Sequence, residues 1–250
     1  MQPELLSLPE RFPRSSTYDA EWLLSLDMGP NPLWQLEELW PDLDLKPGQR
    51  VLDIGPGKGA TAVFLAREAG VRVDALDLWI TVDEAAQNYR QAGVDDLVTP
   101  MHGDVRTIEL PAGAYDAIVS LDAWEYFGSD VYFLQRLVAA LKPGGVLGFV
   151  TPSLRADPYL TDPLPALAEM AKFEVLTWHP ADWWAKHTAL TGPLTDVRAW
   201  VPADSLELWL RWEDALGNDS PMHPVLRAYQ QLGGNPPALG QLHVTGRRPS

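Results

Sequence analysis

The amino-acid sequence predicts an α/β protein: a three-layer α/β/α, doubly wound, mostly parallel seven-stranded sheet with a helical lid. Three observations carry this expectation. From Arg50 to Val150 short apolar runs alternate with stretches of helical spacing, and strands separated by helices pair in parallel with helices on both faces. Three glycines, Gly55, Gly57 and Gly59, follow the first apolar run directly. Hydrophobic residues make up 46% of the 250 positions against 21% charged, which supports a sizeable core and argues against global disorder.

The elements follow in order. Lys46–Pro47–Gly48 reads as a turn and Arg50–Ile54 as a strand ending in glycine. Ala60, Val63 and Phe64 have helical spacing, and their helix closes near Gly70. Val71–Asp77 reads as the second strand, Asp83–Gln91 as a helix, Leu97–His102 as the third strand and Tyr115–Leu121 as the fourth. Leu134, Leu137, Val138 and Leu141 share one helical face that stops at Lys142–Pro143–Gly144–Gly145, and Val146–Val150 is a fifth, fully apolar strand.

After Pro152 the rhythm changes. Leu164–Met170, Ala181–Ala189, Leu206–Leu216 and Val225–Leu232 look helical, while Leu194–Val201 and Gln241–Arg247 look like strands. The expected organisation is a cap over residues 1–46, where Trp34–Trp40 reads as a short helical piece, and a ligand-binding core over 47–160. A C-terminal part over 161–250 then completes the sheet and supplies lid helices.

Composition excludes several function classes. The net charge of −15 repels phosphate backbones and anionic lipid, so neither nucleic acid nor membrane is expected as a partner. Without cysteine there is no disulfide, thiolate metal site or cysteine nucleophile. No secretory signal pattern opens the sequence and no stretch reaches about 18 apolar residues, so the expected location is cytoplasmic. The five histidines, 102, 179, 187, 223 and 243, are scattered without metal-ligand spacing, and no metal is expected. Oligomeric state is not legible.

The glycine bend carries the chemistry. Glycines at a strand-to-helix turn let the backbone approach a ligand closely, and the helix start offers unpaired N–H groups. Asp77, about 20 residues on, is placed to accept bonds from two ribose hydroxyls. Gly55, Gly57 and Ala60 also satisfy the dinucleotide fingerprint. Asp53, expected at the mouth of the turn, favours a cationic sulfonium and α-ammonium over a pyrophosphate. S-adenosylmethionine (SAM) is therefore the expected cofactor, and a nicotinamide cofactor the alternative.

Val51–Gly59 (VLDIGPGKG) resembles the first motif of class I SAM-dependent methyltransferases, whose fold is Rossmann-like. Asp77 matches that family's ribose-binding acid. Gly103–Asp104 is similar to its third strand end, whose carboxylate takes the adenine amino group. Tyr115–Leu121 with Asp122–Ala123–Trp124 corresponds to strand four and its active-site loop, and Leu141–Gly145 resembles the turn before strand five. The resemblance implies cofactor contacts at Asp53, Gly55, Gly57, Gly59, Asp77, Leu78, Gly103, Asp104, Val105 and the Leu121 carbonyl. Pro56, which removes a backbone donor between the glycines, departs modestly from the pattern. Met28–Trp34, Trp183–His187 and Leu206–Trp212 look like a bacterial branch of small-molecule methyltransferases.

The expected function is therefore methyl transfer to an O, N or C nucleophile of a small, cationic or neutral acceptor. Methyl transfer needs alignment, exclusion of water and, for a protonated nucleophile, a base. His187, one helical turn from Trp183 and Trp184, is a candidate general base or substrate-orienting group, as is Tyr126. Asp122 is a candidate anchor for an acceptor amine or hydroxyl. Of eleven tryptophans, six (178, 183, 184, 200, 209 and 212) crowd the C-terminal third; core packing is the favoured reading over an aromatic cage. Asn235–Pro236–Pro237 looks like the motif of amino-methylating nucleic-acid enzymes but lies far from strand four. A non-catalytic SAM-binding regulator, a SAM-site enzyme transferring another group and a nicotinamide-dependent oxidoreductase are the alternatives.

Overall fold

A computed structural model describes residues 1–217 and 220–250. The seven strands are β1 (Arg50–Ile54), β2 (Arg72–Asp77), β3 (Val98–His102), β4 (Tyr115–Leu121), β5 (Leu141–Leu154), β6 (Thr195–Trp200) and β7 (Leu239–Arg247). They form one sheet in the order β3-β2-β1-β4-β5-β7-β6. β1 to β5 pair in parallel, while β7 runs antiparallel to both β5 and β6.

Alternation along the strands builds the two faces. Successive side chains point to opposite sides of a strand, so Val51, Val73, Ala117, Val119 and Val150 enter one buried cluster. Leu52, Leu76, Ile118, Leu147 and Phe149 enter another. The first face is covered by α1 (Ala20–Ser25), α2 (Pro32–Leu43) and α3 (Ala60–Ala69), joined by Tyr89 of α4 (Val82–Gln91). α5 (Phe133–Ala140) and α7 (Ala181–Thr191) cover the second. A third cluster joins α6 (Pro165–Ala171), α8 (Ser205–Leu216) and α9 (Met222–Gln230) to the ends of β5 and β7.

Local chemistry explains several boundaries. Asn31 caps α2, its Oδ1 accepting from Leu33 N at 3.0 Å and Trp34 N at 3.3 Å, with Pro32 in the first turn. α3 opens from Gly59 and ends at Gly70, both in the left-handed region. One boundary differs from expectation. Lys142–Gly145 bends out of the β4 ladder as a bulge between the Tyr115–Leu141 and Ala117–Val146 pairs, with Gly144 left-handed (φ 77°), inside a fifth strand that starts at Leu141 and runs on to Leu154. Both extensions have non-local partners: Gly145 O accepts from Arg248 N at 2.9 Å, and Ser153 and Leu154 face Gly240 and Leu239.

Candidate functional site

The carboxyl ends of β1, β2 and β4 open into a cavity of about 340 Å³, roofed by the segment Leu23–Pro32 and by Trp212 of α8. This is where a doubly wound sheet binds ligands, outside the strand ends at the point where the strand order reverses. Gly55, Gly57, Asp77, Leu78, Gly103, Asp104, Val105 and Leu121 all line it, as do Asp122 and Tyr126. The structure thus brings most of the expected site residues into one space.

The glycine bend is left-handed at Gly55 (φ 72°), Gly57 (φ 55°) and Gly59 (φ 101°). At Gly59 a Cβ would meet Tyr89 Cε1 at 2.4 Å, so both conformation and space require glycine there. Gly59 forms the N-cap of α3 and lies just behind the cavity lining. Asp77 closes the bend: its Oδ2 accepts from Gly57 N at 2.8 Å, and its Oδ1 from Trp79 N at 2.7 Å and Ile80 N at 2.9 Å. Oδ1 is thereby filled, and Oδ2 keeps lone-pair capacity for a ligand hydroxyl.

Asp53 corrects one expectation. It does not stand at the mouth of the turn but is 1% exposed beneath it, outside the cavity lining. Strand alternation sends its side chain under the bend, where Thr61 Oγ1 donates to its Oδ2 at 2.5 Å. Its Oδ1 has no hydrogen-bond partner in the protein. Burial, only partly offset by the Thr61 bond, raises its pKa to about 7. A cation held at the bend would counter that burial.

Asp104 is engaged by Arg106, which reaches it with Nε at 2.9 Å and Nη2 at 2.7 Å. The guanidinium holds the carboxyl below its ordinary value, so it stays an anion. Lys58 Nζ donates to the Ser25 and Asp27 carbonyls at 3.2 and 3.4 Å, tying the cap to the bend.

The part of the cavity beyond β4 is acidic. Asp122 adopts a left-handed φ of 53°, and its Oδ2 comes so close to Gly29 that a Cβ there would lie 2.0 Å away. Burial raises its pKa well above the ordinary carboxylate range, reinforced by Glu125, Asp27 and Glu213. Every charged neighbour acting on it is another carboxylate. Glu125 is 7% exposed, accepts from Thr151 Oγ1 at 3.2 Å, and is raised to about 7 by burial. Asp27 accepts from Trp212 Nε1 at 3.1 Å.

Tyr126 stands at the cavity with Trp79 edge-on at 5.2 Å. Burial and nearby carboxylates raise its phenol further above its ordinary value. Its phenol is therefore kept protonated and able to donate a hydrogen bond, which suits the orienting role of the two expected for it.

His187 is the second correction. It does not line the cavity. It sits 9% exposed on α7 with Nε2 donating to Gly128 O at 3.1 Å, stacked on Trp183 at 4.6 Å and edge-on to Trp184 at 5.6 Å. The two tryptophans do surround it, but the packing they make anchors the turn after β4. Burial lowers its pKa. Trp124 is core, 1% exposed and stacked on Phe149 at 4.1 Å. Trp209 and Trp212 are also buried, though Trp212 reaches the cavity as well.

Sequence reasoning missed Asp27, Met28, Trp79 and Trp212 at the cavity. Only long-range packing brings the cap and α8 there.

Fold and site together define a Rossmann-like α/β domain with a ligand cavity at its topological switch point. Residues 51–145 match the family model described as a methyltransferase domain. Over 110 residues the chain is 40% identical to an uncharacterized methyltransferase of Mycobacterium tuberculosis, a match covering 43% of this chain and 54% of that protein. The chain thus spans about half the length of such curated relatives.

Among solved structures, geranyl diphosphate C-methyltransferase from Streptomyces coelicolor A3(2), in complex with S-adenosyl-L-homocysteine (SAH), superposes with a TM-score of 0.70. The match is 18% identical and covers 86% of this chain and 75% of that one. A putative sarcosine dimethylglycine methyltransferase from Galdieria sulphuraria gives a TM-score of 0.69 at 24% identity, over 86% and 84% of the two chains. These two likenesses concern the fold.

Proposed function

We propose that this protein is a SAM-dependent methyltransferase acting on a small molecule. The observation that carries the reading is one cavity with two unlike ends: a left-handed glycine bend closed by Asp77, and an acceptor end where Asp122 meets only other carboxylates. SAM fits the first end. Gly55, Gly57 and the Leu121 carbonyl would hold its amino-acid part, Asp77 and Leu78 its ribose, and Gly103, Asp104 and Val105 its adenine, with Asp53 compensating positive charge from below. When bound, it supplies a methyl group already activated by a sulfonium.

The chain's own residues align the acceptor and handle its proton. Among O, N and C nucleophiles, the acidic end favours a basic nitrogen: an ammonium is attracted to Asp122, and that carboxylate is placed to receive its proton. Tyr126 donates a hydrogen bond that orients the acceptor. His187 acts at one remove, by fixing the turn that carries Asp122 to Gly128. In the same reading residues 1–46 form a cap, 47–160 the cofactor core and 161–250 a lid. The described residues contain no helix long and apolar enough to cross a membrane and no cluster of metal-ligating side chains, and a cytoplasmic, metal-independent enzyme is proposed.

Isothermal titration with SAM, SAH and NADH tests the cofactor, and product mass spectrometry after incubation with SAM and a panel of amines, alcohols and phenols tests the transfer. Tight SAM binding with a methylated amine is expected. Binding of NADH with indifference to both SAM and SAH would overturn the reading, and SAM binding without turnover on any nucleophile would leave a regulatory module.

A further inference from the structure

Exposed apolar side chains are ordinary on a protein surface when they stand singly. Two at the cofactor cavity do not. Trp79 is 61% exposed and Tyr126 43% exposed, yet both line the cavity and their rings meet edge-on at 5.2 Å. Neither ring belongs to the three buried clusters that hold the fold. Leu160 and Phe173 are more exposed still, but they lie outside this cavity.

Local backbone chemistry and sheet order explain the pairing. Asp77 Oδ1 accepts from both Trp79 N and Ile80 N, which turns the chain at the end of β2. Ile80 enters the first buried cluster, and Trp79 is left outside it. Tyr126 comes from the turn after β4 that also carries Asp122. β2 and β4 flank β1 in the sheet, so a contact between residues that follow them spans the end of β1.

The two rings therefore form an aromatic wall at the carboxyl edge of the sheet, in the same turn as the carboxylate read above as the acceptor anchor. At these exposures much of both rings is uncovered. Met28, also exposed, brings a third apolar side chain to the cavity from the cap. The cavity is thus apolar at its exposed residues and acidic around Asp122.

We propose that Trp79 and Tyr126 are specificity residues that seat an aromatic ring of the methyl acceptor, so that the acceptor is an amine carried on an aromatic body. The ring lies against the wall while the nitrogen reaches Asp122. A flat ring adds the preferred geometry of aromatic pairs to the burial of apolar area, which an alkyl chain does not. The inference rests on the acceptor reading above, which supplies the nitrogen; the wall supplies the body.

The test uses the full-length protein saturated with SAH, titrated calorimetrically with four probes: 2-phenylethylamine, 2-cyclohexylethylamine, butylamine and 2-phenylethanol. The phenyl amine is expected to bind about tenfold or more tightly than butylamine, and more tightly than its cyclohexyl counterpart. Trp79→Ser should bring the phenyl-to-butyl ratio towards one, with butylamine and SAH affinities unchanged. Trp79→Phe, which keeps a flat ring, should retain most of the preference.

No detectable binding, a cyclohexyl group bound as tightly as a phenyl, or a ring preference that survives Trp79→Ser overturns the proposal. So does a fall in SAH affinity in Trp79→Ser as large as the fall for 2-phenylethylamine, which would assign the indole to the cofactor. The alcohol separates this inference from the reading beneath it. If 2-phenylethanol binds as tightly as the amine and loses affinity in Trp79→Ser, the amine reading fails and the aromatic wall stands. Amines bound equally whatever body they carry would do the reverse.

Discussion

Asp53 shows how one residue's burial becomes a pH dependence. Its folded pKa of about 7 lies above the ordinary carboxylate value. Its stabilising contribution in the ligand-free protein is therefore complete below about pH 4 and lost as pH rises through about 7. Asp53→Asn, which mimics the neutral acid, should be more stable than wild type at pH 8 by on the order of 2–4 kcal/mol. That difference should shrink towards pH 4, as read from denaturant midpoints across pH. The same variant should bind SAM more weakly at pH 8, where the wild-type carboxylate is charged; equal affinity would remove Asp53 from the cofactor site. Gly29→Ala tests the acceptor end. Its Cβ would force Asp122 aside, so acceptor turnover should fall about tenfold or more with SAM affinity preserved. Isothermal titration and initial rates separate the two.

Among the elements, α7 and the turn after β4 act as a pair. His187 Nε2 donates to Gly128 O, and Trp124 of that turn stacks on Phe149 of β5. His187→Leu should cost about 1–3 kcal/mol through the orphaned carbonyl and lower kcat. The midpoint of the pH–rate profile should stay where it is, because a positioning residue does not titrate in the reaction; a shifted midpoint would restore His187 as a base. The Lys58 bonds to the Ser25 and Asp27 carbonyls join the glycine bend to the cap. Lys58→Met should speed SAM dissociation several-fold in stopped-flow fluorescence, with Trp212 in the cavity wall as a reporter.

For the whole molecule, the charge of −15 sets an attractive field for cations. SAM carries one more positive charge than SAH. Raising salt from low to physiological ionic strength should slow SAM association while leaving that of SAH nearly unchanged. Equal salt dependence for the two would show that the field plays no part in capture.

Legibility followed the range of the interactions involved. The strand–helix alternation and the bend at Gly55–Gly59 were readable because period and φ are properties of adjacent residues. Asp77, Gly103 and Asp104 followed, since each stands at or just beyond the end of a strand whose position the pattern predicts. Three placements were decided only by tertiary packing. Asp53 lies beneath the bend because strand alternation buries it once α3 covers that face. His187 faces the 124–128 turn, not the cavity, because α7 packs on the second face of the sheet. β5 carries Lys142–Gly145 as a bulge whose glycines pair with Arg248, over a hundred residues on. The sequence by itself determined the class of fold and the cofactor bend, through local periodicity and backbone freedom. Which side chains meet at the acceptor end was left to contacts between distant segments, since neither the cap nor α8 carries a local pattern that announces its neighbour.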